Sequence, residues 1–288
     1  MRNVTEKREA HFDTRSIIYS SLGWGGLLFG FSTAGSADFS TWQVWIPLLV
    51  GAAALFLFIR RQLILPKPIL EFRVFQSKTY TISTVLSVLV YALMIGSQIL
   101  LTFYVQNVRG MTALKTGLML LPGAILTGIM SPVTGKIFDK IGGKWLAIVG
   151  FASIVLGNSI YAFISLDTST YVIAGMFSFI SLGIAMIMMP LTTASMNALP
   201  MQHMAHGTAV NNTLRMVGGA IITALLVTVM SSTMANYSQL PPQAAMLHGI
   251  QIAFRVASAL SITGFILAIF YKEGNQSVLI QNPAPSPR

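Results

Sequence analysis

The sequence predicts an all-α integral membrane protein with about eight transmembrane helices. Three observations carry that prediction. The chain of 288 residues is 54% hydrophobic and only 9% charged; its apolar residues fall in blocks of about twenty; and its basic residues gather in alternate connections between those blocks. A soluble domain carries about 25% charged residues. A mean hydropathy of +0.70 places this chain in lipid instead. Lipid offers no partner for exposed backbone N–H and C=O groups, so only helices and closed barrels span it. Barrel strands are short and alternate in polarity, whereas these blocks are long and continuous.

The first block, predicted at 16–35, follows a polar lead, MRNVTEKREAHFDTR, and ends on the small residues Ala34, Gly35, Ser36 and Ala37. That ending mimics a signal-peptide cleavage site. The lead is long and carries Glu6, Glu9 and Asp13, which argues for a retained span. The second block, 42–60, stops at Arg60 and Arg61, and a connection with Pro66 and Pro68 reaches residue 79. Six further blocks follow at 80–105, 115–136, 144–164, 170–195, 208–231 and 249–271, bounded by charge, Gly and Pro. The tail, ending NPAPSPR, is polar and Pro-rich, a composition that predicts disorder.

Alternation puts Arg2, Lys7, Arg8, Arg15, Arg60, Arg61, Lys67, Arg73, Lys78, Lys136, Lys140, Lys144, Lys272 and Arg288 on one side, which is 14 of the 18 Lys and Arg. The other side receives Arg109 and Lys115, with Arg255 near its edge and Arg215 inside a span. The positive-inside rule then predicts a multi-pass protein of the cell membrane with both termini cytoplasmic. The net charge of +10 has the same origin. It forms no aromatic-interleaved patch, so nucleic acid is not an expected partner; membrane lipid is. With zero cysteines, thiol catalysis, disulfides and cysteine metal sites are excluded.

The most specific motif is GKIFDKIGGK, Gly135 to Lys144, in the connection predicted at 137–143. Glycines let a chain reverse without a Cβ penalty, and Asp139 can accept backbone N–H groups where a helix starts. Lys140 and Lys144 would face the headgroups. The alternative is a plain basic turn between two spans. The spacing resembles the G-x-x-x-D-[RK]-x-G-[GR]-[RK]-[RK] signature of the major facilitator superfamily, matched here by Gly135, Asp139, Lys140, Gly142, Gly143 and Lys144. Trp145 departs from the usual final basic residue. The stretches YVQN at Tyr104–Asn107, GLMLLPGA at Gly117–Ala124, SPVTG at Ser131–Gly135 and, more weakly, the Gly-rich first span from Gly23 to Gly35 also fit. Together they look like the fourteen-span drug:proton antiporters of the EmrB/QacA type.

The seventh block supplies a second signal, GTAVNNTLRMVGGA from Gly207 to Ala220, which also resembles that family. Gly207, Asn211, Arg215 and Gly219 fall four apart, so amide and guanidinium groups share one helical stripe with small residues that permit close packing. Arginine facing lipid is costly, so Arg215 should face the bundle interior, a wet cavity or the cytoplasmic interface. Asn211, Asn212, Arg215, Gly218 and Gly219, with Gln98 and Asn158, are the candidates for cavity lining or for helix packing, and the residue types leave both readings open. Asn197 is weaker still. Met186, Met188 and Met189 beside Pro190 fit an adaptable apolar wall or ordinary packing. His203 and His206 lack the spacing of a metal-binding helix, so no metal is expected.

The resemblance implies a division into a cytoplasmic segment 1–15, two linker helices in 16–60, a cytoplasmic loop 61–79, a six-helix C-terminal half in 80–271 and a cytoplasmic tail 272–288. It implies efflux of hydrophobic or cationic drugs by alternating access, driven by the proton gradient and without a cofactor. Family members have six spans before the linkers, so the resemblance implies pairing with a separate first half or with another copy of the chain as a homo-oligomer. All eight acidic residues fall in expected connections or tails, leaving no mid-membrane carboxylate for proton coupling. The competing expectation is a truncated, non-transporting membrane remnant or assembly partner. No nucleophile elbow, paired membrane carboxylates or metal-ligand helix points to an enzyme.

Overall fold

A computed structural model describes residues 13–34, 41–65, 68 and 70–271. The leader at 1–12, most of the connection at 36–41, Pro66 and the tail at 272–288 lie outside the described residues. Eight α-helices lie among the described residues: α1 (Thr14–Ala34), α2 (Trp42–Ile64), α3 (Lys78–Phe103), α4 (Ala113–Ile141), α5 (Gly143–Tyr161), α6 (Thr170–Asn197), α7 (Met204–Asn236) and α8 (Pro242–Phe270). Each coincides with one predicted block, and no strand occurs among the described residues. Seven of them, α2 to α8, are long and apolar enough to cross a membrane. In α1 the serines and glycines from Ser16 to Gly30 dilute the apolar character. The protein is an all-helical, multi-pass membrane protein.

The helix ends follow local chemistry. Ser77 caps α3 by accepting from the Tyr80 backbone N–H, and Thr112 caps α4 through Lys115. Pro242 occupies the first position of α8, where its missing N–H costs nothing. α3 runs into one turn of π-helix at Tyr104–Val108. There the Tyr104 hydroxyl donates to the Ser165 carbonyl at 2.7 Å, and Arg109 donates to the Thr168 carbonyl at 2.6 Å, joining two connections on that side.

α1 and α2 form an antiparallel pair, with Gly23 beside Leu55 and Gly30 beside Leu48. Its open end is clamped: Arg61 donates through Nε and Nη2 to both Asp13 oxygens at 2.6 and 2.9 Å. Ser16 also donates to Asp13, and buried Gln62 donates to Ser16 at 2.8 Å. The Arg61 guanidinium, with the Ser16 hydroxyl, holds the Asp13 carboxyl well below the usual carboxylate range.

The other six helices build a bundle around α3, which packs on α6, α7 and α8, while α5 lies against α6 and α8. Between apolar surfaces in lipid the hydrophobic effect supplies little, so close approach and hydrogen bonds decide. Gly150 of α5 and Gly183 of α6 bring two backbones together: a Cβ on Gly183 would sit 2.7 Å from the Gly150 carbonyl oxygen. Gly157 also meets α6, at Ile180, so Gly150 and Gly157, seven residues apart, share one packing face of α5. At the bundle centre Ser97, Asn158 and Ser261 join α3, α5 and α8. α4 stands at the edge, held mainly to α6, where Thr134 donates to the Ala185 carbonyl at 3.1 Å.

Candidate functional site: the seam between α3 and α7

α3 and α7 run parallel. Tyr80 meets Gly207 near their starts, where its hydroxyl donates to the glycine carbonyl at 2.7 Å, and Gly96 meets Leu226 further along. Small residues make the seam close. A Cβ on Gly218 would overlap Val88, and one on Gly219 would lie 3.0 Å from the Tyr91 ring.

Five buried side-chain polar atoms on these two helices have no hydrogen-bond partner. Among the described residues, the buried side-chain atoms without a hydrogen-bond partner are Thr84 Oγ1 and Ser87 Oγ on α3, and Asn211 Oδ1, Arg215 Nε and Thr223 Oγ1 on α7. Buried polar groups are normally paired, and all five of these atoms belong to the two helices that form this seam. Beside them a cleft of about 540 Å³ opens between α1, α3 and α7, lined by Leu28, Phe31, Tyr91, Ile95, Met216 and Thr223 among others. That volume lies within the roughly 300–1,000 Å³ of drug-sized pockets. Arg215, half-buried, does not line the cleft but stacks on a residue that does, its guanidinium carbon 5.0 Å from the centroid of Tyr91. The ring face attracts the cation, but no carboxylate stands on α3 or α7 to neutralise it.

The predicted residues separate into three groups. Arg215, Gly218 and Gly219 belong to the seam, as does Asn211, whose Nδ2 reaches Ser195 Oγ of α6 at 3.5 Å. Asn212 is exposed on another face of α7, and Gln98 and Asn197 are exposed as well. Asn158 lies away from the cleft: it accepts from Ser97 at 3.0 Å and donates to Ser261 at 3.1 Å, fully buried. Met186 and Met188 pack on the core and Met189 is half-exposed; none lines the cleft. Among the described residues no three of His, Asp or Glu gather as metal ligands.

The motif from Gly135 to Lys144 requires a correction. α4 continues through Ile141, so the expected 137–143 connection shrinks to Gly142 alone. Nothing in KIFDKI interrupts a helix, whereas Gly142 at φ +79° and ψ 173° adopts a conformation that side chains rarely allow. Asp139 therefore occupies the last turn of α4 rather than the start of α5, and no side chain caps α5. It is exposed and has no hydrogen-bond or ion-pair partner among the described residues. Lys140, also in that last turn, is the residue the helix dipole favours there. Gly135 and Lys144 are partly exposed and Gly143 is buried.

Sequence reasoning missed Tyr91, Thr84, Ser87 and Thr223. One tyrosine and scattered hydroxyls in apolar runs carry no spacing signal, and only the parallel pairing of α3 with α7 collects them.

Comparison with known proteins agrees with this architecture. The family described as Major Facilitator Superfamily matches residues 9–223. The chain is 50% identical over 273 residues to the uncharacterized MFS-type transporter YcnB of Bacillus subtilis, covering 95% of this chain and 58% of that protein. It is 36% identical over 280 residues to the lincomycin resistance protein LmrB of Listeria monocytogenes, covering 95% of this chain and 59% of that protein. It is 25% identical over 226 residues to the multidrug resistance protein Stp of Mycobacterium tuberculosis, covering 78% of this chain and 42% of that protein. The chain thus spans less than two thirds of the curated relatives it matches. With the helical bundle, the Gly135–Lys144 motif and these matches together, the chain is a member of the Major Facilitator Superfamily.

Proposed function

We propose that the chain works in a proton-coupled efflux transporter of the fourteen-span type, moving hydrophobic or cationic compounds by alternating access. In this reading the chain transports rather than catalyses. α1 and α2 are the linker helices, and α3 to α8 form the C-terminal half-bundle. The observation that carries the reading is the α3/α7 seam: a drug-sized cleft with orphaned polar atoms, in a family member related to proteins named for lincomycin and multidrug resistance. Transporters of this architecture hold substrate between two halves that rock against each other. A six-helix first half is therefore the partner, and the proton-accepting carboxylates belong to it, since no acidic residue lies on α3 or α7. The Gly135–Lys144 motif serves the switch between conformations, with both termini cytoplasmic.

Expression with a six-helix first half in drug-sensitive cells tests this. Lower lincomycin accumulation than in vector controls, reversed by a protonophore, is the expected result. Accumulation equal to controls, while both halves reach the membrane, overturns it.

A further inference from the structure

The cleft between α1, α3 and α7 has a charge character that the residues around it fix. Arg215, Gly219 and Thr223 are spaced by four on one face of α7. Arg215 Nε and Thr223 Oγ1 are both buried without a hydrogen-bond partner, so two orphaned groups stand about 12 Å apart along the helix, from eight residues at 1.5 Å rise. The cleft wall itself is apolar or small, with Met216, Gly219 and Ala220 on α7 faced by Leu28 and Phe31 of α1; Thr223 lines it, and Arg215 stands beside it, next to Met216 and against the lining residue Tyr91.

A guanidinium inside a membrane helix is costly unless paired. Arg215 obtains part of its compensation from the Tyr91 ring at 5.0 Å, but its Nε still lacks an acceptor. Of the four described acidic residues, Asp13 and Glu71 are engaged by Arg61 and Arg73, Asp139 is at the exposed end of α4, and Asp167 lies in the α5–α6 connection. None reaches the middle of α7. The unmet need at this site is therefore an anionic oxygen, and a cation placed there would meet the like charge of Arg215.

We propose that this cleft binds amphiphilic acids: compact molecules with an apolar body against Leu28, Phe31 and Ile95, and one carboxylate or similar acidic head taken by the Arg215 guanidinium. A hydroxyl or carbonyl at the far end of such a molecule would reach Thr223. Arg215 presents planar donors to a carboxylate, a charge-assisted pairing stronger than a neutral one. The proposal rests on the transporter reading for its meaning: it takes the hydrophobic compounds of that reading, adds an acidic head to them at this cleft, and assigns no cation to it. Its test needs no transport.

The full chain in nanodiscs of phosphatidylcholine is titrated with 11-(dansylamino)undecanoic acid and with the matched trimethylammonium compound, empty discs serving as blank. The acid is expected to bind at least about tenfold tighter than the cation. Arg215→Gln is expected to weaken the acid about ten- to a hundredfold, the range set by hydrogen bonds to charged groups, and to leave the cation unweakened. Arg215→Lys should retain part of the affinity. Ala224→Leu, which fills the cleft while leaving Arg215 in place, should weaken the acid as well, and each variant is compared only after its helical signal and monodispersity match the parent. Equal affinity for acid and cation, or unchanged acid binding in Arg215→Gln, overturns the proposal. Displacement of the probe by dioctanoyl phosphatidylglycerol at lower concentration than by unlabelled acid overturns it too, because the occupant is then a lipid headgroup. Failure here with drug efflux intact leaves the transporter reading standing, and the reverse result leaves the binding site standing.

Discussion

Asn158 donates to Ser261 at 3.1 Å while accepting from Ser97 at 3.0 Å, so one buried amide ties α5 to both α3 and α8. In lipid such bonds average about 0.6 kcal/mol and reach about 1.7 kcal/mol. Asn158→Leu strands the Ser97 hydroxyl and adds branched bulk at a fully buried point. It is expected to lower the thermal unfolding temperature of the detergent-solubilised protein by several degrees, with acid binding at the α3/α7 cleft retained. Stability equal to the parent would show that the triad contributes nothing net.

The Asp13–Arg61 pair clamps the ends of α1 and α2 and is responsive to pH in one direction only. The folded-state pKa of Asp13 is depressed by Arg61, so its contribution is fully present above the ordinary carboxylate pKa of about 3.9 and is lost as pH falls below that toward the depressed value. Spin labels on cysteines placed at exposed Ile18 and Ile59 should report one narrow distance from pH 7 to pH 4. Asp13→Asn should broaden it across that whole range. The background contains no cysteine, so labelling is specific.

Gly142 and Asp139 are expected to separate structure from switching. Gly142→Ala places a Cβ at φ +79°, a conformation costing about 1–3 kcal/mol, and should lower stability. Asp139→Asn touches no partner among the described residues and should leave stability unchanged. In the assembled transporter it is expected to reduce efflux at least severalfold. Asp139→Asn with full efflux would remove the residue from the switch.

Gly218 sets the separation of α3 and α7. Gly218→Val drives a side chain into Val88, an overpacking that costs about 1–3 kcal/mol. Spread of the seam should move Arg215 off Tyr91, weakening acid binding together with stability. Gly128, with open space around the position of its Cβ, is the control: Gly128→Ala should change neither.

Eight helices were legible in the sequence because span length and apolar content are imposed by the bilayer itself, residue by residue. The end of α4 was not, since the charges of KIFDKI suggested a loop, yet all six residues are compatible with helix and only Gly142 stops it. Arg215 announced itself as a charge in an apolar block. Its partner Tyr91 did not, because 124 positions of sequence separate them and only the tertiary pairing of α3 with α7 brings them together. Asn158 and Gln98 illustrate the same limit: alike as single polar residues in apolar runs, one is a buried junction and the other an exposed side chain.

The one-residue link at Gly142 bears on how the protein is made. α4 leaves the ribosome directly ahead of α5, yet it leans on α6, which is synthesised after both. An adjacent helical hairpin is therefore not the unit of assembly here. α4 takes its principal neighbour from the helix two places on, joined to it by Thr134 and the Ala185 carbonyl. Whatever separates α5 from α6 therefore separates α4 from its main support, and a chain cut between Tyr161 and Thr170 would lack the surface on which α4 rests.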